Sequence, residues 1–177
     1  MSRPKQKPAA PSEPDQPVSL PNAGIRRRFA AILYDFFLIF AIWAATLAGL
    51  HALLSDPTPA DGFIPESDLL PPWLVQLICY LETLGFYFYF WRVKGQTLGM
   101  QVWKIRLLNA QDELVTSAQA LRRFLLATLS MAPAGAGLLW ALIDREHKAL
   151  HDLWSGTRVV YLGKKPYESE RSQIDMR

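Results

Sequence analysis

Three long apolar runs, with almost all the charges lying between them, constrain this chain more than any other feature. The first runs from Phe29 to Leu50 and contains one charge, Asp35. At 1.5 Å per helical residue it reaches roughly 33 Å, enough to cross a hydrocarbon core of about 30 Å. Arg26, Arg27 and Arg28 stand immediately before it. A cleaved signal peptide is disfavoured, because the run is longer than a typical signal core, contains an acid and begins far from the first residue. The second run, Trp73 to Trp91, spans about 28 Å as a helix. Tryptophan at both ends, with Tyr87 and Tyr89 near the second, is the pattern of rings anchored at two membrane interfaces. Glu82 lies at its midpoint. The third run, Phe124 to Ile143, is long enough to span, but Pro133, Gly135 and Gly137 interrupt it, and a proline removes a helix hydrogen bond.

The segments between the runs differ in character. Residues 1–22 carry repeated prolines and too little apolar surface to offset the entropy of ordering, which predicts a disordered tail. The loop 51–72 holds Asp56, Asp61, Glu66 and Asp68 with no Lys or Arg. From 92 to 116 the chain is polar and basic. There Val102, Lys104 and Arg106 alternate with Trp103, Ile105 and Leu107, a turn is expected at Asn109 to Glu113, and Leu114 and Val115 follow, so the pattern suggests a small β-hairpin at the membrane surface. Thr116 and Gln119 have the spacing of a capping box, which places a helix start near Ser117. Residues 163–177 form a polar tail. The expected fold class is an all-α integral membrane protein, with spans at about 29–50 and 73–91, a third kinked span or re-entrant helical hairpin at about 124–143, and the small β-hairpin.

Positive residues near spans favour the cytoplasm. Arg26 to Arg28 therefore place the amino terminus inside, the unbasic loop 51–72 outside, and the basic segment 92–123 inside again. For the third run, charge favours a hairpin bent at Pro133 to Gly137 with both ends inside, whereas length favours a kinked crossing. Both readings stay open at this level.

The net charge of +3 and the scatter of basic residues argue against a nucleic-acid partner. Cys79 is the single cysteine, so an internal disulfide is excluded, and a small buried hydrophobe is the plain reading of it. Gly95-Gln96-Thr97-Leu98-Gly99 is too short for a phosphate loop and lacks its lysine. No nucleophile stands beside a base, and three histidines give too few ligands for a metal centre. Neither an enzyme nor a bound cofactor is expected; the lipid bilayer is the expected partner.

An ionisable residue inside a span is expensive and therefore a functional candidate. Asp35 lies two helical turns after Arg28, so both fall on nearly the same face. The pair reads either as a proton- or cation-exchanging carboxylate tuned by an arginine, or as a structural ion pair. Glu82 reads as a proton carrier, or as a protonated group bonded to a neighbouring helix. In His147 to Thr157, a helical His147/His151 metal pair is weak; Asp152 can instead pin the carboxyl-terminal segment to a basic residue such as Arg28. Ala41, Ala45 and Gly49 form a row of small residues compatible with internal packing or with homodimerisation.

These residues together resemble the RDD family of bacterial membrane proteins, named for one arginine and two aspartates. The stretch Arg27-Arg28-Phe29-Ala30-Ala31-Ile32-Leu33-Tyr34-Asp35 looks like the opening motif, Gly95-Gln96-Thr97-Leu98-Gly99-Met100 like the middle one, and His151-Asp152-Leu153-Trp154-Ser155-Gly156-Thr157-Arg158-Val159-Val160 like the closing one. The resemblance covers residues 23–162. It implies a polar core of Arg28, Asp35 and Asp152, a location in the bacterial inner membrane, and a role in ion transport such as sodium/proton exchange. Glu82 is no part of the family name and stands on physical grounds alone. Two or three helices are few for an alternating-access carrier, so transport implies a homo-oligomer. The other reading is a membrane scaffold or accessory subunit, in which the same residues only lock helices together.

Overall fold

A computed structural model describes residues 20–54, 70–131 and 135–163. Residues 1–19 of the proline-rich tail, the acidic stretch from Asp56 to Asp68, Pro133 and the polar tail after residue 163 lie outside the described residues; Pro21 and Asn22, expected to be part of the disordered tail, are instead bonded into the fold. Two long helices dominate. Helix α1 covers Ile25–Leu54 and α2 covers Pro72–Val93, with Pro72 in the first turn, where its missing N–H is no loss. Both are long and apolar enough to cross a membrane. Only 6% of the most apolar window of α1, and 0% of that of α2, is buried within the protein. Phe29, Leu33, Phe36, Phe37 and Phe40 all lie open on α1. A surface of that kind is satisfied by lipid, and the chain is a membrane protein. At 30 residues α1 is about 45 Å long, more than a bilayer core requires, so it extends beyond the apolar run that marks its span.

The packed core does not lie between the long helices but at one end of them, where α1 starts and α2 stops. It is built from Ala23, Ala31, Trp91, Met100, Ile105, Leu107, Val115, Phe124 and Val159, with others. Short elements assemble this cap: α3 (Leu98–Val102), strand β1 (Ile105–Asn109), helix α4 (Ser117–Met131), helix α5 (Ala136–Leu139) continuing into a 3-10 turn at Trp140–Leu142, α6 (Leu150–Ser155) and β2 (Thr157–Tyr161).

A small sheet is present, and the turn at Asn109 forms as the sequence suggests: the amide of Asn109 donates to the carbonyl of Glu113 at 2.9 Å, and the Asn109 side-chain oxygen accepts from Gln111 and Glu113. The partner strand is different from the one expected. β1 pairs antiparallel with β2, in register Ile105↔Tyr161, Leu107↔Val159 and Asn109↔Thr157, and not with Leu114 and Val115. The strand-like alternation also starts later than expected, because Val102 ends α3 and Lys104 takes a positive φ of 54° before β1. A local hairpin and this long-range pair have the same alternation, which carries no information about the partner. The segment before α1 joins too: Ala23 donates to the Val159 carbonyl and Tyr161 to that of Pro21, each at 2.8 Å.

The capping box at Thr116 forms in both directions: the Thr116 amide donates to Gln119 Oε1 (2.9 Å) and the Gln119 amide to Thr116 Oγ1 (3.2 Å), and α4 begins at Ser117. The third apolar run is a bent pair of helices and not a straight crossing. The axis of α4 and that of Ala136–Leu142 differ by 103°. Gly137 makes the close approach possible, since a Cβ there would fall 2.4 Å from the Ser130 hydroxyl. The chain then returns along α4 as α6.

Candidate functional site

Asp152 on α6 is fully buried at 0% exposure, and its carboxylate is shared between two arginines. Arg28 of α1 donates from Nη1 to Oδ2, and Arg123 of α4 donates from Nη1 to Oδ1. The Ala149 amide adds a bond to Oδ2 at 3.0 Å at the start of α6. Arg123 Nη1 also donates to Thr157 Oγ1 (2.6 Å), which is hydrogen-bonded to Ser155 Oγ (2.7 Å). Arg28 Nε donates to the Ala23 carbonyl at 2.9 Å, and Nη2 to that of Val159 at 3.5 Å. Burial alone would raise the Asp152 pKa. The guanidinium groups of Arg123 and Arg28 outweigh it and hold the carboxyl below the usual carboxylate range. One anion thus ties the start of α1, the middle of α4 and the segment that leads into β2.

His151 beside it is kept neutral. Burial first, then the Arg123 charge, push its imidazole down to about 3, against the lesser opposing effect of Asp152. Its Nδ1 lies 3.3 Å from Ser130 Oγ. The helical pair of His147 with His151 is not formed. α6 starts only at Leu150, and His147 sits in the preceding turn at φ 55°, its Nδ1 3.2 Å from the Ala141 carbonyl. Among the described residues no three metal-ligating side chains converge.

Asp35 pairs with neither arginine. Seven residues separate it from Arg28, about 10 Å along the helix axis, while Asp152 comes from another element to meet Arg28 directly. Asp35 instead receives the Thr97 hydroxyl at Oδ2 and the Gly99 amide at Oδ1 (2.8 Å). Thr97 also caps α3, accepting from the Met100 amide at 3.2 Å. The middle motif therefore exists to bring backbone against α1. A Cβ on Gly99 would lie 2.3 Å from the Ala31 carbonyl. Gly95 takes φ +65°, and its carbonyl accepts from Leu107 at 2.7 Å. Gln96 Nε2 donates to the Ile105 carbonyl at 2.8 Å, fixing the entry to β1.

Glu82 belongs to a separate locus between the long helices. Its Oε1 accepts from Thr46 Oγ1 at 2.6 Å, whereas Oε2 is buried with no partner among the described residues. Nearby, Trp43 Nε1 donates to the Cys79 carbonyl (3.0 Å). The small row Ala41, Ala45 and Gly49 is exposed, so it does not pack α1 against α2.

A cavity of about 220 Å3 lies between α1, α2, α4 and β1. Its walls are mainly apolar. Arg28, Asp35, Arg123 and His151 line it, together with Tyr87 and Trp91. Arg123 is the site residue that the motifs do not single out, since in the sequence it is only the last residue of the basic segment 92–123. Its signal was its place on the face Ala120, Arg123, Phe124, Ser130, which α4 turns inward.

Fold and site together define a polytopic helical membrane protein with a buried arginine–aspartate cluster at the foot of its helices. The model of the RDD family matches residues 22–156, which include Arg28, Asp35 and Asp152, and the chain belongs to the RDD family. No curated protein and no solved structure matches it significantly.

Proposed function

We propose that the chain is a subunit of an oligomeric carrier of protons or cations in the bacterial inner membrane, with Asp35 as the exchanging carboxylate. One observation carries this reading. Asp35 sits within a spanning helix, lines the cavity, and among the described residues is held by the neutral donors Thr97 and Gly99. A carboxylate pinned by guanidinium, as Asp152 is, has its charge fixed; one held by a hydroxyl and an amide remains free to change protonation. Glu82, with one oxygen on Thr46 and the other unpartnered, is a second proton-binding position. The positive run Arg26 to Arg28 supports a cytoplasmic amino terminus. The 117–156 segment leaves β1 and comes back to its paired strand β2, which supports a re-entrant path with both ends on that side.

The competing reading is a non-transporting scaffold or accessory subunit. It draws support from the Asp152 cluster, whose bonds join separate elements and form a lock. The two separate on Asp35→Asn in proteoliposomes. The amide oxygen can keep the Gly99 bond and the amide nitrogen can donate to the Thr97 hydroxyl, but the group cannot shuttle a proton, so proton or sodium flux is expected to fall at least tenfold with the detergent unfolding midpoint little changed. Parent protein without flux, together with a variant that only loses stability, would leave the scaffold reading standing.

A further inference from the structure

The cavity holds an unbalanced pair of donors. Arg123 is 4% exposed and Trp91 7%, and they lie together, the guanidinium carbon 5.2 Å from the indole ring centroid. Arg123 Nε and Trp91 Nε1 are both buried without a hydrogen-bond partner among the described residues. Buried N–H groups are rarely left unmade, because each then loses its hydration with nothing in return. Two orphans from side chains that line one cavity point to an acceptor that belongs there.

The donor gives the acceptor its sign, because an N–H on a guanidinium bonds most strongly to an anion. Arg28 and Arg123 both line the space and share the single Asp152 carboxylate. Asp35 makes its bonds to Thr97 and Gly99 and not to either arginine. Each Arg28 nitrogen already donates, to Ala23, Asp152 and Val159, whereas Arg123 Nε donates to no described residue. The rest of the wall, with Ile32, Met100, Leu107, Phe124 and Leu138, is apolar. A free inorganic anion would have only one polar end to satisfy it. The volume of about 220 Å3 falls below the roughly 300–1,000 Å3 of pockets that enclose a drug-sized ligand. It suits a compact head with the first few carbons of a chain.

We propose that this cavity is a binding site for a lipid with an anionic phosphate or carboxylate head, whose oxygen accepts from Arg123 Nε and Trp91 Nε1 while its first methylenes lie along the α1–α4 wall. The bilayer on which α1 and α2 present their apolar faces supplies such molecules directly. The inference stands independently of transport and of the species carried.

Native mass spectrometry of the full chain in neutral detergent tests it, with phosphatidic acid, oleate, phosphatidylcholine and inorganic phosphate as probes. Phosphatidic acid or oleate should bind at least tenfold more tightly than phosphatidylcholine. Trp91→Phe removes one donor and keeps the ring, and should weaken binding about tenfold. Ala127→Leu fills the cavity from α4 without touching the ion cluster, and should abolish binding; it decides the matter if Trp91→Phe fails to fold. Equal binding of phosphatidylcholine, full binding by Ala127→Leu, or displacement of the lipid by inorganic phosphate at equal concentration would each overturn the proposal.

Discussion

Asp152 joins three separate elements through one carboxylate, and its environment makes two measurable demands. Replacing it with Asn leaves Arg28 and Arg123 facing each other without a counter-charge at positions 4% exposed. Breaking a buried pair from one side typically costs about 3–5 kcal/mol, so Asp152→Asn should unfold at markedly lower denaturant in detergent, or fail to accumulate. The second demand comes from His151. In the unfolded chain it takes a proton near its ordinary value of 6.5, but in the folded protein not until about 3. Between those values the unfolded state binds more protons, so stability falls as pH drops through that window. The slope contributed by this one group is at most about 1.4 kcal/mol per pH unit. His151→Gln should flatten it between pH 6.5 and about 5, above the range where ordinary carboxylates titrate. A parent slope equal to that of the variant, followed by equilibrium unfolding, would show that His151 is not held neutral.

Among the elements, the third apolar segment departs most from a simple reading. Its two halves meet at 103°, with Gly137 against Ser130 where any larger side chain would collide. Strand β1 enters this segment and β2 leaves it, and the two are paired residue for residue from Ile105 to Asn109. The opening of α1 is bonded to the same β2 through Ala23. A reporter fused after Leu162 should therefore lie on the same side of the membrane as one fused ahead of α1. Opposite sides would mean that the bent pair crosses. The helix starts were visible beforehand: the Thr116/Gln119 box forms as its spacing demands. The pairing of β1 was not, because alternation specifies which residues face inward but not which strand lies opposite.

At the scale of the whole molecule, the described helices leave most of their apolar surface outside. The core is confined to one end, and the exposed row Ala41, Ala45 and Gly49 lies on neither α2 nor the cap. Two spanning helices cannot enclose a pathway alone, which is why carriage of ions is proposed for an oligomer. Flux per chain should then fall when the protein is diluted to about one copy per vesicle, whereas a monomeric carrier keeps its flux per chain unchanged. The sequence by itself determined the membrane character, the limits of α1 and α2 to within a few residues, and the candidates Arg28, Asp35 and Asp152, because length, hydropathy and isolated charge are local properties of the chain. It also allowed Asp152 to meet Arg28, without choosing that over an Arg28–Asp35 pair. Only the tertiary structure separated Asp35 from the arginines, brought Arg123 into the cluster and paired β1 with β2. Each of those depends on which elements meet across long stretches of chain, and charge, period and spacing along one element do not encode that.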